Sequence, residues 1–136
     1  LKPDGLFFLN VPSNGKYHRY PFDNWRFYPD SSLALAKWGK KNSYNPSVLE
    51  HFTNYETGID IWNDYVSVTI KNKDLKDKYP NRIIQSKNNF TNGRIDESAQ
   101  IINYTKPQQD QNNWGWKLHY KFRKKIWQIK KFFVKK

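Results

Sequence analysis

Four carboxylates in the middle of the chain could by their type support acid–base catalysis or bind a metal ion. They are Asp60, Asp64, Asp96 and Glu97. Asp60 and Asp64 lie four residues apart, a spacing that places two side chains on one face only in a helix. The three histidines lie far apart in the chain and form no His-x-x-x-His pair: His18, His51 and His119. The spacing identifies no reaction, so we predict no catalytic residues, no metal site and no cofactor.

Motifs of the common enzyme classes are also missing from the sequence. There is no Gly-x-Ser-x-Gly motif, phosphate-binding glycine loop or dinucleotide fingerprint. The chain has no Cys, which excludes thiolate catalysis, disulfides and cysteine-based zinc sites. We therefore expect a protein that is not an enzyme. A small enzyme acting on nucleic acid is a lesser alternative, and it requires the four carboxylates to converge in the fold.

The last twenty residues carry a different kind of chemistry, that of binding a polyanion. Residues 117–136 hold nine Lys or Arg and no acid, whereas residues 1–116 hold fifteen basic and twelve acidic residues. Such asymmetry is typical of a segment that faces nucleic acid or an anionic surface. The candidate phosphate contacts are Lys117, Lys121, Arg123, Lys124, Lys125, Lys130, Lys131, Lys135 and Lys136. The candidate base-stacking residues, which could instead pack against protein, are Trp116, Tyr120 and Trp127.

Two periodic patterns overlap in this tail. Over residues 114–122, apolar or aromatic residues alternate strictly with mostly basic ones, which is typical of a strand. A second set recurs at spacings of four, four, three and four, as on one face of a helix: Leu118, Phe122, Ile126, Ile129 and Phe133. We predict a strand to about Phe122 and a helix after it.

RNA is the polyanion that this composition favours. RNA is bound through shape, backbone contacts and stacking on exposed bases, which basic and aromatic residues supply without a dedicated motif. The aromatic strand motifs of the RRM and the Gly-x-x-Gly loop of the KH domain are missing, which disfavours a sequence-specific reader. We predict a structural RNA-binding subunit of a large ribonucleoprotein, a mitochondrial ribosomal protein that contacts rRNA and neighbouring ribosomal proteins. We expect the protein in the mitochondrial matrix or on the matrix-facing inner membrane, from the pI of about 9.8, the missing initiator Met and the lack of Cys.

The main alternative uses the same tail on a membrane. A basic amphipathic helix with aromatic residues on its apolar face can lie among anionic lipid headgroups. The protein would then be a peripheral accessory subunit of a mitochondrial inner-membrane respiratory or ATP-synthase complex, in contact with anionic lipid and with respiratory-complex subunits. No stretch approaches eighteen consecutive apolar residues, so we predict no transmembrane span.

The rest of the chain has to position this tail, and its composition predicts a small single α+β domain. Only 37% of the 136 residues are hydrophobic, which indicates a small core with extended segments. We divide the chain into an extended aromatic N-terminal arm (1–29), an α+β body (30–104), a polar linker (105–113) and the basic-aromatic tail (114–136). Four prolines in residues 1–29 disfavour a long helix there.

Helices and turns within the body are predicted from caps and apolar spacing. Asp30 or Ser31 can cap a helix over residues 32–38, with Gly39 as its stop. Asn45 followed by Pro46 predicts a second helix that ends before Gly58. Its apolar stripe would be Val48, Leu49, Phe52 and Tyr55. The charged residues 71–78 are predicted as a loop or a helical turn.

Strands are predicted from alternation and from Asn-Gly turn signals. Val66, Val68 and Ile70 alternate with polar residues, which predicts a strand over residues 65–71. Shorter apolar runs predict strands at residues 6–9 and 82–85. Asn-Gly pairs predict turns at residues 13–16 and 91–94.

Overall fold

The chain forms an antiparallel sheet with helices on its faces, as the predicted α+β class requires. The computed structural model describes residues 1–14, 25–54, 63–105, 122–123 and 125–126. Its elements, in chain order, are β1 (Leu6–Asn14), α1 (Ser31–Lys41), β2 (Ser47–Asn54), β3 (Asn63–Ile70), two short 3₁₀ helices (Lys73–Lys78 and Ile83–Ser86) and β4 (Phe90–Ile95). The strand order is β1-β3-β2-β4, with every neighbouring pair antiparallel.

Strand β1 is an edge of this sheet and confirms the strand predicted at residues 6–9. It pairs with β3 from Leu6 opposite Ile70 to Asn14 opposite Asn63, so the strand predicted at 65–71 is confirmed too. Residues 6–14 thus belong to the sheet, although they fall within the predicted arm. The Gly-Lys part of the turn at 13–16 and the aromatic residues 17–24 lie outside the described residues. The boundaries of arm, body, linker and tail stay predictions.

The helix predicted between Asn45 and Gly58 is wrong, because residues 47–54 form strand β2. This strand lies between β3 and β4, and every residue from Ser47 to Thr53 is buried. A strand covered on both faces does not need to alternate apolar and polar residues. A register shift between Val48 and Glu50 disturbs the period further, so the apolar spacing resembled that of a helix.

The strand predicted at residues 82–85 is also wrong, since Ile83–Ser86 forms a 3₁₀ helix. The buried carboxylate of Glu50 on β2 accepts hydrogen bonds from the backbone N–H groups of Ile83 (2.9 Å) and Ile84 (3.0 Å). These contacts hold the start of the short helix against the sheet. Tertiary contacts of this kind override the strand preference of two consecutive isoleucines.

The Asn-Gly turn predicted at residues 91–94 is wrong as well, because those residues lie inside β4. The pairing with β2 shifts between His51 and Thr53, so Asn92 and Gly93 form a bulge in the strand. Asn92 has a φ of 52°, a value that Asn tolerates better than most residues. A Cβ on Gly93 would lie 2.6 Å from the Phe90 ring. The Asn-Gly pair therefore serves a bulge that bends the strand over an aromatic ring.

Helix α1 confirms the first predicted helix, with Asp30 at its N-cap, but the predicted stop at Gly39 is wrong. The helix continues to Lys41, and Gly39 is buried within it. A Cβ on Gly39 would lie 2.9 Å from the side chain of Pro46. Glycine is thus placed here for the close approach of the following loop.

The two faces of the sheet are packed differently. One face carries two apolar clusters, built around Phe52 and Ile70, and the 3₁₀ helices and the residues after β4 cover it. The predicted helical turn at 71–78 is confirmed by the first 3₁₀ helix, whose Leu75 packs there. The other face lies against α1, which buries Ser32, Ala36 and Gly39. Polar and small residues are concentrated on this second face.

Candidate functional site

The structure places only two of the predicted RNA contacts. Arg123 and Lys125 are exposed on helical backbone, together with Phe122 and Ile126. Helical backbone at these positions agrees with the helix predicted after the strand. The other ten predicted RNA-binding residues and residues 114–121 of the predicted strand lie outside the described residues, and Phe122, its last residue, is on helical backbone. The tail interface therefore stays a prediction from the sequence.

The carboxylates of the nucleic-acid enzyme alternative do not converge where the structure describes them. Asp64 is the second residue of β3 and lies beside Pro12 of β1, whereas Asp96 follows β4 at the opposite end of the sheet and donates its backbone N–H to the Leu49 carbonyl oxygen. Asp96 binds the buried Arg82 guanidinium at 2.6 Å. Asp60 lies outside the described residues. Within the described ranges, no three His, Asp or Glu side chains are grouped so as to hold a metal ion.

Glu97 has a structural role at the start of β2. Its carboxylate accepts hydrogen bonds from the Val48 backbone (3.1 Å) and the Ser47 hydroxyl (3.2 Å), and it pairs with Lys40 of α1 at 3.3 Å. Burial alone raises the pKa of Glu97, but the Val48 hydrogen bond and the Lys40 charge outweigh it and hold the pKa below its ordinary value. A carboxylate engaged in this way ties α1 to the sheet.

Beneath α1 lies a buried polar cluster that sequence reasoning missed. His51 and Tyr65 are both fully buried, with ring centroids 5.6 Å apart. The Tyr65 hydroxyl is in hydrogen-bond contact with the Ser32 hydroxyl and accepts from the Ser32 backbone at 3.2 Å. Neither ring nitrogen of His51 has a hydrogen-bond partner among the described residues. The cluster was missed because it depends on which face of β2 each residue occupies, and β2 had been predicted as a helix.

The burial of His51 makes the stability of the body depend on pH. Burial lowers the pKa of His51 to about 4; the Arg94 charge acts in the same direction and Asp30 opposes it. The unfolded chain binds a proton on this residue below about pH 6.5, whereas the native protein binds it only near pH 4. Stability is therefore lost as the pH falls from 6.5 to 4.

Between pH 6.5 and 4, the free energy of unfolding of His51→Leu should fall by about 2–3 kcal/mol less than that of the wild type, because leucine has no proton to bind. Urea unfolding of both proteins at several pH values measures the difference. The lowered pKa values of Asp4 and Glu97 act at lower pH and are present in both proteins. Parallel pH profiles for the two proteins would show that His51 is not the responsible group.

An open cavity of about 510 Å³ lies beside the polar cluster, between α1 and β1–β3. Its lining combines short residues, such as Ala36 on α1 and Ser67 and Thr69 on β3, with larger apolar side chains. Protein interiors are normally filled to the density of an organic crystal, so an unfilled space of this size is unusual within a domain. The cavity is large enough to accept another molecule.

Large apolar side chains surround this cavity and are open to solvent. Phe7, Leu35, Trp38 and Tyr44 all line it, and each is between 45% and 63% exposed. Contiguous exposed apolar surface on a soluble domain often marks a binding site. The cavity is consequently a candidate binding site of the body.

Comparison with known proteins adds no relative. No family model matches the chain, and no curated protein or solved structure is significantly similar to it. No helix among the described residues is long and apolar enough to cross a membrane.

Proposed function

We propose that this protein is a non-catalytic RNA-binding protein whose basic tail contacts the phosphate backbone. The observation that carries the proposal is the separation of charge along the chain, with nine Lys or Arg and no acid in residues 117–136. Each phosphate that these residues neutralise releases condensed counterions, which drives association with RNA.

The ion pairs of the body support this division of roles. Four of its acids pair with basic residues of the body: Asp4 with Lys78, Asp30 with Arg94, Asp96 with Arg82 and Glu97 with Lys40. These pairs balance charge locally within the fold. The surplus positive charge of the protein is therefore concentrated in the tail, which has no acid of its own.

The setting that fits such a protein is a large ribonucleoprotein. A small folded body with a basic-aromatic extension suits a structural subunit whose extension gains order from RNA and from neighbouring proteins. We place it in the mitochondrial ribosome, with rRNA and ribosomal proteins as partners. This placement rests on the composition described above and on the tail.

Neutralising three tail residues should weaken RNA binding strongly. The variant carries Lys124→Gln, Lys125→Gln and Lys131→Gln. Losing three contacts to single-stranded RNA should make the slope of log K against log[salt] shallower by about 2. If the two proteins bind equally at 1 M salt, the variant should then bind about a hundredfold more weakly than the wild type at 0.1 M salt. Fluorescence anisotropy with a 20-nucleotide single-stranded RNA, titrated at four salt concentrations, measures both quantities.

The matched control removes the same charge from the body. It carries Lys2→Gln, Lys73→Gln and Lys76→Gln, none of which takes part in the ion pairs above. We expect its salt slope to equal that of the wild type. Equal losses in the two variants would contradict a tail-specific interface, since overall charge would then explain the binding.

An anionic membrane is the second candidate partner, and one observation favours it. Phe122 and Ile126 are four residues apart on helical backbone and are 66% and 41% exposed. Such an apolar pair next to Arg123 and Lys125 also suits a helix lying among lipid headgroups. Sedimentation with phosphatidylserine vesicles tests this: vesicle binding without RNA binding would replace the RNA proposal by the accessory-subunit alternative.

A further inference from the structure

The cavity between α1 and the sheet has the properties of a small-molecule site. Its volume of about 510 Å³ lies within the range of about 300–1,000 Å³ that is typical of ligand pockets. Such pockets are lined mostly by apolar side chains, with a few polar groups that orient the ligand. Here Leu9, Leu35 and Trp38 form apolar walls, while the hydroxyls of Ser67 and Thr69 lie on the sheet side.

The charge beside the cavity indicates the charge of a complementary ligand. Lys71 carries the single charged side chain among the described residues of the lining. Its ammonium group donates a hydrogen bond to the Leu1 carbonyl oxygen at 2.7 Å. No described carboxylate forms an ion pair with it, so its positive charge is not neutralised by the fold. A ligand with an anionic group is therefore complementary to this site.

The small number of free polar groups in the lining indicates that the uncharged part of the ligand is apolar. A nucleobase or sugar carries several donors and acceptors, and each one buried without a partner weakens binding. The Ser32 hydroxyl is already engaged with Tyr65, and Tyr65 also engages Ser67, so few free hydroxyls remain in the lining. An unbranched acyl chain needs no such partners and gains from contact with apolar walls.

We propose that this cavity binds a fatty-acid-like carboxylate, with the acyl chain between α1 and the sheet and the carboxylate at Lys71. The site is independent of the RNA-binding tail. The basic tail of the same chain is a poor occupant of the cavity, because its positive charge would lie beside Lys71. The described tail residues Phe122 and Ile126 are also exposed.

Isothermal titration with dodecanoate, below its micellar concentration, tests the proposal on the full-length protein. We expect saturable 1:1 binding. Shorter carboxylates down to octanoate should bind about fourfold more weakly than dodecanoate for each methylene that they lack, because each buried methylene contributes a nearly constant increment of binding free energy. Dodecanol, which has the same chain without the charge, should bind more weakly than dodecanoate.

Lys71→Gln isolates the role of the charge. It should weaken dodecanoate about tenfold to a hundredfold, which is the effect of one charge-assisted hydrogen bond, and leave dodecanol unchanged. Lys73→Gln, two residues away and outside the cavity, is the matched control. Equal dodecanoate affinity in Lys71→Gln and wild type would overturn the assignment of the carboxylate.

Thr69→Phe tests the location of the chain by filling the cavity from the sheet side, and it should abolish binding of dodecanoate and dodecanol alike. If this variant does not fold, Leu35→Asp on the exposed edge of α1 replaces it and should weaken the binding of dodecanoate by charge repulsion.

Absence of saturable binding to the wild type overturns the proposal. So does loss of dodecanoate binding in the tail variant Lys124→Gln, Lys125→Gln and Lys131→Gln, because the tail would then be the site. Loss of RNA binding alone leaves this site unaffected.

Discussion

Phe52→Ala is expected to lower the free energy of unfolding by about 3–5 kcal/mol, the usual cost of truncating a buried phenylalanine. Phe52 is 2% exposed on the central strand β2, and its ring packs against Phe90 at a centroid distance of 5.8 Å. Val66 and Ile84 complete the cluster. Since a small domain has a total stability of about 5–15 kcal/mol, this loss would remove much of the margin. Urea denaturation followed by circular dichroism measures it.

Phe8→Ala provides the matched comparison for this prediction. Phe8 lies on the edge strand β1 and is 57% exposed, so truncation there removes little buried surface. We expect a change below about 1 kcal/mol. If Phe8→Ala were as destabilising as Phe52→Ala, β1 rather than the central strand would hold the stabilising core.

Glu50→Ala is expected to cost about 2–4 kcal/mol, because it leaves the buried Ile84 N–H and the partly buried Ile83 N–H without their carboxylate partner and removes two charge-assisted hydrogen bonds. Glu50 is 3% exposed and accepts from Ile83 and Ile84, the first residues of the second 3₁₀ helix. No described basic residue forms an ion pair with its carboxylate. The backbone donors are thus the groups that stabilise this buried charge.

Glu50→Gln separates shape from charge in this interaction. Its amide oxygen can still accept a hydrogen bond from Ile83 or Ile84, so we expect about half the loss seen with alanine. The exposed Asp77→Ala is the control for removing a carboxylate from the same domain, with an expected change within about 0.5 kcal/mol. A loss in Glu50→Ala no larger than that in Asp77→Ala would show that the segment at residues 83–86 is held by other contacts. Hydrogen exchange of the Ile83 and Ile84 amides reports directly on this local tie.

The sequence by itself determined the α+β class and the elements with strong local signals. Helix α1 has Asp30 at its N-cap, and strand β3 places Val66, Val68 and Ile70 in the apolar clusters of one face and Ser67 and Thr69 on the other face. The charge of the tail is likewise a property of composition, which needs no structure to be counted. Local patterns of this kind are readable wherever a residue's environment follows from its near neighbours in the chain.

The tertiary structure alone decided the features that depend on distant partners. Strand β2 is buried on both faces and its pairing shifts register against both neighbours, so its apolar residues do not recur at every second position. Its assignment required knowing that β3 and β4 flank it. The 3₁₀ helix at Ile83 depends on Glu50, more than thirty residues earlier in the chain.

The two sites divide in the same way. The tail that we propose for RNA is defined by charge along the chain, whereas the cavity that we propose for an acyl carboxylate is lined by residues of β1, α1 and β3. These residues lie far apart in the sequence, which does not reveal that they share one cavity. The cavity arises only when the helix packs on the sheet.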